Sequence, residues 1–175
     1  MTLKPQDVVV LLKLVALGDQ PWTFQRLAVE LSISQSEVHA AVRRAVAAGL
    51  MTEASSSAGR PVRAALLEFL LHGVKYAFPP KRGELTRGVP TGYAAPPLDK
   101  AIAGSGEPPP VWPYAEGKVR GYAFAPLYRT VPQAATRDEA LYELLALVDA
   151  IRDGRARERT LARQALEKRL RATAG

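Results

Sequence analysis

The 175-residue chain is predicted to adopt a mainly α-helical fold, in which a small N-terminal domain precedes a proline-rich strap, a β-hairpin and two C-terminal helices. Two observations support this class. Apolar residues recur at helical spacing near both ends of the chain, and nine of the 14 prolines lie within residues 79–113. A stretch so rich in proline is expected to contain neither regular helix nor a central strand. We therefore divide the chain into residues 1–78, 79–113 and 114–175.

Three helices are predicted within the first 50 residues. The first covers residues 5–17, where Pro5 suits the first helical position and Asp7 suits the positive end of the helix dipole. Its apolar residues follow an i, i+3, i+4, i+7 pattern: Val8, Leu11, Leu12 and Val15. The second helix covers residues 24–31 with Thr23 as its N-cap. A tight turn then leads to a third helix that ends at Gly49.

The third helix begins with a capping-box pattern and presents an unusual outward face. Ser34 is expected to accept a hydrogen bond from the Glu37 amide, while the Glu37 carboxylate reaches back to the Ser34 amide. The outward face combines small residues with long hydrogen-bond donors: Ser36, His39, Ala40, Arg43, Arg44 and Ala47. Arginine can pair bidentately with guanine, and Ser or Ala can pack near a thymine methyl. The alternative is a face that is simply solvated.

Two short helices are thus predicted, the second of them capped, and they are followed by Ala48-Gly49-Leu50-Met51. This arrangement resembles the winged helix-turn-helix of MarR-like bacterial regulators over about residues 5–65. The resemblance implies that the second motif helix reads the major groove of DNA, with contacts from Gln35, Ser36, His39, Ala40, Arg43 and Arg44. The family's wing corresponds to residues 52–60, which are short and contain Arg60 as their one basic residue.

Charge and composition favour a nucleic-acid partner. The formal net charge is +7, and residues 154–175 carry seven basic and two acidic groups. A basic chain of this size favours a polyanionic partner. Phosphate contacts are predicted for three cations of the strap, with a solubilised loop as the alternative: Lys81, Arg82 and Arg87. The chain contains no cysteine, which excludes disulfides and thiolate metal sites and fits a cytoplasmic location.

The C-terminal part is predicted to form a hairpin and two helices. Residues 111–124 alternate as two strands around Gly117. Residues 136–139 match a second capping box with Thr136 at its start, opening a helix that ends at Gly154. The last helix carries a narrow apolar stripe, and residues 61–77 form a helix that is apolar nearly all round. Because both helices require a partner surface, we expect a homodimer.

Motifs of catalysis are absent from the sequence. It contains no phosphate-binding glycine loop, no H-E-x-x-H and no G-x-S-x-G, and only two histidines. We therefore expect neither an enzyme nor a metal or other cofactor. The apolar run from Val8 to Leu17 is too short to span a bilayer, so no membrane partner is expected.

Two functions remain open from sequence alone. The first is a homodimeric, sequence-specific transcriptional regulator that binds double-stranded DNA. The second is an antitoxin-like protein that neutralises a co-encoded protein partner through its C-terminal part and autoregulates through its DNA-binding domain.

Overall fold

The computed structural model describes residues 1–53 and 59–171. Within these ranges the chain forms eight helices and three strands, in the order α1 (Pro5–Leu17), α2 (Phe24–Leu31), α3 (Gln35–Ala47), α4 (Arg63–His72), α5 (Val74–Ala77), β1 (Arg82–Pro90), β2 (Pro110–Pro113), β3 (Val119–Phe124), α6 (Val131–Ala135), α7 (Glu139–Asp153) and α8 (Ala156–Arg171). Helices predominate, but the three-stranded sheet makes this a mixed α/β fold instead of a mainly α one.

The first three helices begin and end where the sequence predicts. Thr23 caps α2 by accepting from the Arg26 amide, and Ser34 caps α3 by accepting from the Glu37 amide. Ser32 ends α2 in the left-handed conformation, and Gly49 follows α3 with a φ of 77°. These caps satisfy backbone groups that a helix end otherwise leaves without partners. The result is a helix, a tight turn and a second helix, both packed on α1.

The predicted wing is described only at its base. Met51 and Pro61 form an antiparallel bridge, and the Thr52 amide donates to the Arg60 carbonyl oxygen at 2.8 Å. The Arg60 amide in turn donates to the Thr52 hydroxyl oxygen at 2.8 Å. Two chain segments are therefore paired at this point, while residues 54–58 of the wing prediction lie outside the described residues.

The two apolar helices that suggested a dimer cover each other within one chain. The predicted helix over residues 61–77 is interrupted at Gly73, giving α4 and α5. Helix α4 contacts α8, and the apolar residues of both helices are buried: Leu66, Leu67, Leu70 and Leu71 in α4, and Ala162, Leu166 and Leu170 in α8. Arg63 donates to the Leu170 carbonyl oxygen at 3.1 Å, across the same contact. The apolar faces of these helices therefore do not require a second subunit.

The proline-rich strap contains a central strand, contrary to the sequence-based expectation. Strand β1 pairs antiparallel with both β2 and β3, and the three strands close on one another. The prolines Pro90, Pro110 and Pro113 stand at strand ends, where a missing amide costs the ladder little. Proline content alone therefore did not exclude a strand.

Strands β2 and β3 do not form the predicted hairpin. Strand β2 pairs with residues 88–90 of β1 and β3 pairs with residues 82–88, so both run in the same direction and pair in parallel with each other. The close approach depends on glycine. A Cβ atom at Gly88 would lie 1.9 Å from the Trp112 carbonyl oxygen, and one at Gly121 would lie 2.0 Å from that of Pro109.

Helix α7 joins the sheet and the N-terminal helices. It contacts α1, α4, α5 and α8, and the buried apolar residues form one cluster that extends across residue 78. Its N-cap is Asp138, which accepts from the Leu141 amide, whereas the predicted cap Thr136 lies at the end of α6 and donates to the Gln133 carbonyl oxygen. In the described part of the chain, none of the helices is both long and apolar enough to cross a bilayer.

Candidate nucleic-acid interface

Helix α3 is held so that one of its faces points outward. Its buried residues are Val38, Ala41, Val42 and Ala45, which anchor it to α1 and α2. The opposite side follows the helical spacing i, i+4, i+7, i+11. We name it the α3 stripe; its residues are Ser36, Ala40, Arg43 and Ala47. Ser36, Arg43 and Ala47 are exposed and Ala40 is half-buried, so Arg43 is the one long side chain of the stripe.

Arg43 is the cation of the α3 stripe. Its side chain is exposed and makes no hydrogen bond or ion pair with any residue of ranges 1–53 and 59–171. Glu37, the nearest acidic residue in sequence, is engaged elsewhere. A guanidinium presents five donors in a fixed fork that matches a guanine edge or a phosphate. Arg43 is therefore positioned to contact an anionic or hydrogen-bonding partner.

Arg44 belongs to the packing of α3 on α1, although the sequence suggested that it contacts DNA. It donates from Nε and Nη2 to the two carboxylate oxygens of Asp7, each at 2.8 Å, and from Nη2 to Glu37 at 2.6 Å. Its side chain is 11% exposed and that of Asp7 is fully buried. Because a buried carboxylate requires a cation and hydrogen bonds, Asp7 fixes Arg44 against α1 and removes it from the outer face.

Glu37 completes this cluster instead of closing the capping box. Its carboxylate accepts from Arg44 and, at 3.0 Å, from Gln6 Nε2, so the predicted reach back to the Ser34 amide does not occur. The hydrogen bonds from Arg44 and Gln6 lower the pKa of Glu37 below its ordinary value. Helices α1 and α3 are thus joined by a charged cluster of Gln6, Asp7, Glu37 and Arg44.

His39 lies at the flank of the α3 stripe. Its ring stacks on Phe24 with 3.7 Å between the centroids and 15° between the planes. One face of the imidazole is therefore covered by α2, and the residue is half-buried. Phe24 also meets Trp22 edge-on, at 5.2 Å. The stack joins α2 to α3, so the main role of His39 is to position the α3 stripe.

The remaining predicted contacts occupy the two ends of this region. Gln35 and Ser36 are exposed at the N-terminal end of α3, where the first turn leaves amide groups available to an anion. Arg60 is half-buried at the base of the wing, and its Nη1 donates to the Gly59 carbonyl oxygen at 3.1 Å. A role for these residues in binding DNA stays a prediction.

The predicted phosphate contacts of the strap lie in or beside β1 and not on a loose arm. Lys81 and Arg87 are exposed. Arg82 pairs with Asp153 and stacks over the Phe124 ring at 5.3 Å, so an internal partner already occupies it. These cations lie in or beside β1, whereas α3 packs on α1 and α2; Arg43 and the strap cations therefore belong to different parts of the fold.

The function of the chain has to be inferred from its geometry, because comparison with known proteins found no match. No protein-family model matches the chain, and neither a curated protein nor a solved structure is significantly similar to it. Within the described residues, no group of three or more His, Asp or Glu side chains is arranged to hold a metal ion.

Acid is expected to destabilise the fold through Glu37 and Asp138. Burial alone would raise the pKa of Asp138, but hydrogen bonds from Lys13 and the Leu141 amide bring it below its ordinary value, and the pKa of Glu37 is lowered as well. Carboxyls with lowered pKa stabilise the fold above their unfolded-state pKa, and this contribution is lost as the pH falls through the folded-state pKa. The free energy of unfolding should therefore decrease as the pH is lowered from about 5.

Urea unfolding at a series of pH values measures this dependence. Replacing Glu37 with glutamine should make the acidic part of the stability profile shallower, because one of the carboxyls with a lowered pKa is gone. Glu53→Gln, at an exposed position of the wing base, is the control and should leave the profile unchanged. An acid profile that is the same in wild type and Glu37→Gln would contradict the assignment.

Proposed function

We propose that this protein is a cytoplasmic, sequence-specific transcriptional regulator that binds double-stranded DNA through a MarR-like winged helix-turn-helix at about residues 5–65. The observation that carries the proposal is the α3 stripe. It places an exposed arginine, without a partner among the described residues, between small residues on a helix that is otherwise fixed by buried contacts. Such a helix can enter a major groove about 12 Å wide and bring its backbone close to the bases.

In this proposal Arg43 reads a base edge and the other groups position the helix. The guanidinium pairs with O6 and N7 of a guanine, while Ala40 and Ala47 allow close approach. Gln35 and Ser36 lie where the N-terminal end of the helix meets a phosphate. Arg60, at the base of the wing, contacts the sugar-phosphate backbone of the DNA beside the groove. The Asp7–Arg44 pair and the His39–Phe24 stack hold the helix in one orientation before binding, which lowers the entropic cost of recognition.

We also propose that two copies of the chain act together. One bidentate arginine–guanine pair is worth about 1–3 kcal/mol of discrimination, whereas specific binding typically exceeds non-specific binding by about 4–10 kcal/mol. One α3 stripe with a single such arginine supplies less than this free-energy difference. Two stripes on a two-fold symmetric operator supply about twice as much. The half-sites should then lie about 34–36 Å apart, or at a multiple of that spacing.

Selection of bound duplexes from a random pool, followed by titration of variants against single-base substitutions, tests the proposal. Arg43→Ala should weaken operator binding by about 1–3 kcal/mol and relax specificity at one position per half-site. Lys100→Ala is the matched control: it also removes one exposed positive charge, but from the short 3-10 helix Leu98–Lys100 between β1 and β2, and should retain the sequence preference. Equal weakening for every sequence by Arg43→Ala, or none, would contradict the proposed orientation of α3.

A further inference from the structure

Strands β1 and β3 present an exposed face that combines arginine with apolar side chains. In the antiparallel register, Arg87 lies opposite Arg120 and Leu85 lies opposite Tyr122. Because side chains alternate along a strand, these four residues share one side of the ladder. We name them the outer sheet face. The other side is closed by tight contacts of Gly88 and Gly121 with neighbouring backbone, so the four side chains point away from the interior.

The Arg87–Arg120 pair is electrostatically unfavourable in the isolated chain. Side chains directly opposite each other in such a ladder have Cβ atoms about 4.5–5.5 Å apart, and like charges in that position are destabilising. Both arginines are exposed, and neither side chain forms an ion pair with the rest of the described chain. Lys118 is exposed just before β3 and adds to the positive charge. An anion bound between these groups would relieve the repulsion.

Leu85 and Tyr122 extend the same face as an apolar surface. Each is 42% exposed, and their cross-strand pairing makes the exposed area continuous. An exposed tyrosine ring beside cations suits a base that stacks while its phosphates are neutralised. The bases of a duplex stack on one another and do not offer their faces, whereas unpaired bases do. The combination therefore fits a single strand better than a duplex.

A cleft continues from Tyr122 toward α8. Its volume is about 310 Å³, and its lining includes Tyr93, Tyr122, Arg155 and Arg157. Two of the three carboxylates at this cleft have internal partners. Asp153 pairs with Arg82, and Glu158 accepts from the Arg155 amide. Glu107 is the third. The lining thus balances three cations against three carboxylates, and it places Arg155 and Arg157 beyond the tyrosine, in the direction that a second nucleotide would take.

We propose that the outer sheet face binds single-stranded nucleic acid, stacking an unpaired base on Tyr122 and Leu85 and holding the flanking phosphates with Arg87 and Arg120. This site is separate from the α3 stripe and does not depend on it. The chain would then carry one surface for duplex DNA and another for an unpaired strand.

Fluorescence anisotropy of full-length protein with a labelled oligothymidine of about 10 nucleotides, a length within known site sizes, tests the stacking. Tyr122→Ala should weaken binding by about 5- to 150-fold, the equivalent of the 1–3 kcal/mol of one stacked base. Tyr122→Phe keeps the ring and should bind like wild type. Tyr76→Ala removes an exposed tyrosine from α5 and is the matched control. Wild-type affinity in Tyr122→Ala would overturn the proposal.

The phosphate contacts have a separate readout in the salt dependence. The double variant Arg87→Ala/Arg120→Ala should make the negative slope of log affinity against log salt shallower by about 1.4, since each phosphate contact on a single strand contributes about −0.7. An unchanged slope would overturn the assignment of these arginines. Competition by polyglutamate as effective as that by the oligonucleotide would also overturn it, in favour of an acidic protein partner.

Two further measurements separate this proposal from the one for α3. Arg43→Ala should bind the single strand like wild type even where it loses preference for its duplex site. Tyr122→Ala should keep the duplex preference of wild type. Equal losses on duplex and single strand in Tyr122→Ala would mean that the outer sheet face is only part of the duplex interface, and would overturn the inference.

Discussion

Replacing Arg44 with alanine is expected to destabilise the fold by about 3–5 kcal/mol, because it leaves the Asp7 carboxylate buried without its cation. Asp7 is fully buried and receives two hydrogen bonds from the guanidinium as well as one from the Lys4 amide. The variant loses both guanidinium bonds and retains the desolvation cost of the carboxylate. Urea denaturation followed by circular dichroism at neutral pH measures the loss.

Arg43→Ala is the matched control for this experiment. It removes the same side chain from the adjacent position of the same helix, but from the exposed face. Its free energy of unfolding should stay within about 0.5 kcal/mol of wild type. The pair therefore separates the two arginines by role, one in folding and one in recognition. If Arg44→Ala were as stable as wild type and weakened DNA binding equally for all sequences, Arg44 would be a phosphate contact and the present assignment would be wrong.

The parts of the fold that the sequence predicted well depend on local chemistry. Thr23 and Ser34 cap their helices because the hydroxyl and its amide partner lie three residues apart. Gly49 turns the chain out of α3 because it adopts a positive φ. The buried side of α3 follows from helical spacing alone. Each of these interactions is contained within a few residues, so the order of amino acids is enough to specify it.

The interactions that the sequence did not reveal join residues far apart in the chain. Arg44 and Asp7 are 37 residues apart, and the dipole argument for Asp7 gave no reason to expect a buried partner. Lys13 interrupts an apolar run, yet its side chain is buried and its Nζ lies 2.7 Å from Asp138 and 2.9 Å from Glu30. A single cation inside an apolar helix was the available signal, because such a group requires a carboxylate when it is buried.

Strand register was equally inaccessible from sequence. The alternation after residue 118 correctly indicated a strand, but nothing local showed that β1 would pair with it. Arg87 was predicted as a phosphate contact, whereas its position opposite Arg120 depends on a register set by packing. The outer sheet face therefore became visible only in the structure.

A second large effect is expected at Asp149, the buried carboxylate of α7. It is 2% exposed and accepts hydrogen bonds from the Thr91 hydroxyl and Trp112 Nε1 on one oxygen, both at 2.7 Å. Its other oxygen accepts from Arg152 Nη1 at 2.8 Å. The three donors come from the segment after β1, from β2 and from α7 itself, so this single carboxylate connects the sheet to the central helix.

Replacing Asp149 with alanine should destabilise the fold by about 3–5 kcal/mol, because three donors lose their acceptor and Arg152 loses its counter-charge in a buried position. Asp149→Asn keeps one acceptor oxygen and should lose less. Asp153→Asn, one turn further along α7, breaks only the exposed pair with Arg82 and should cost about 1 kcal/mol or less. Denaturation curves of the three variants, followed by the fluorescence of the two buried tryptophans Trp22 and Trp112, measure the order. Equal stability of Asp149→Ala and Asp153→Asn would contradict the role of Asp149, since the buried and the exposed carboxylate would then contribute alike.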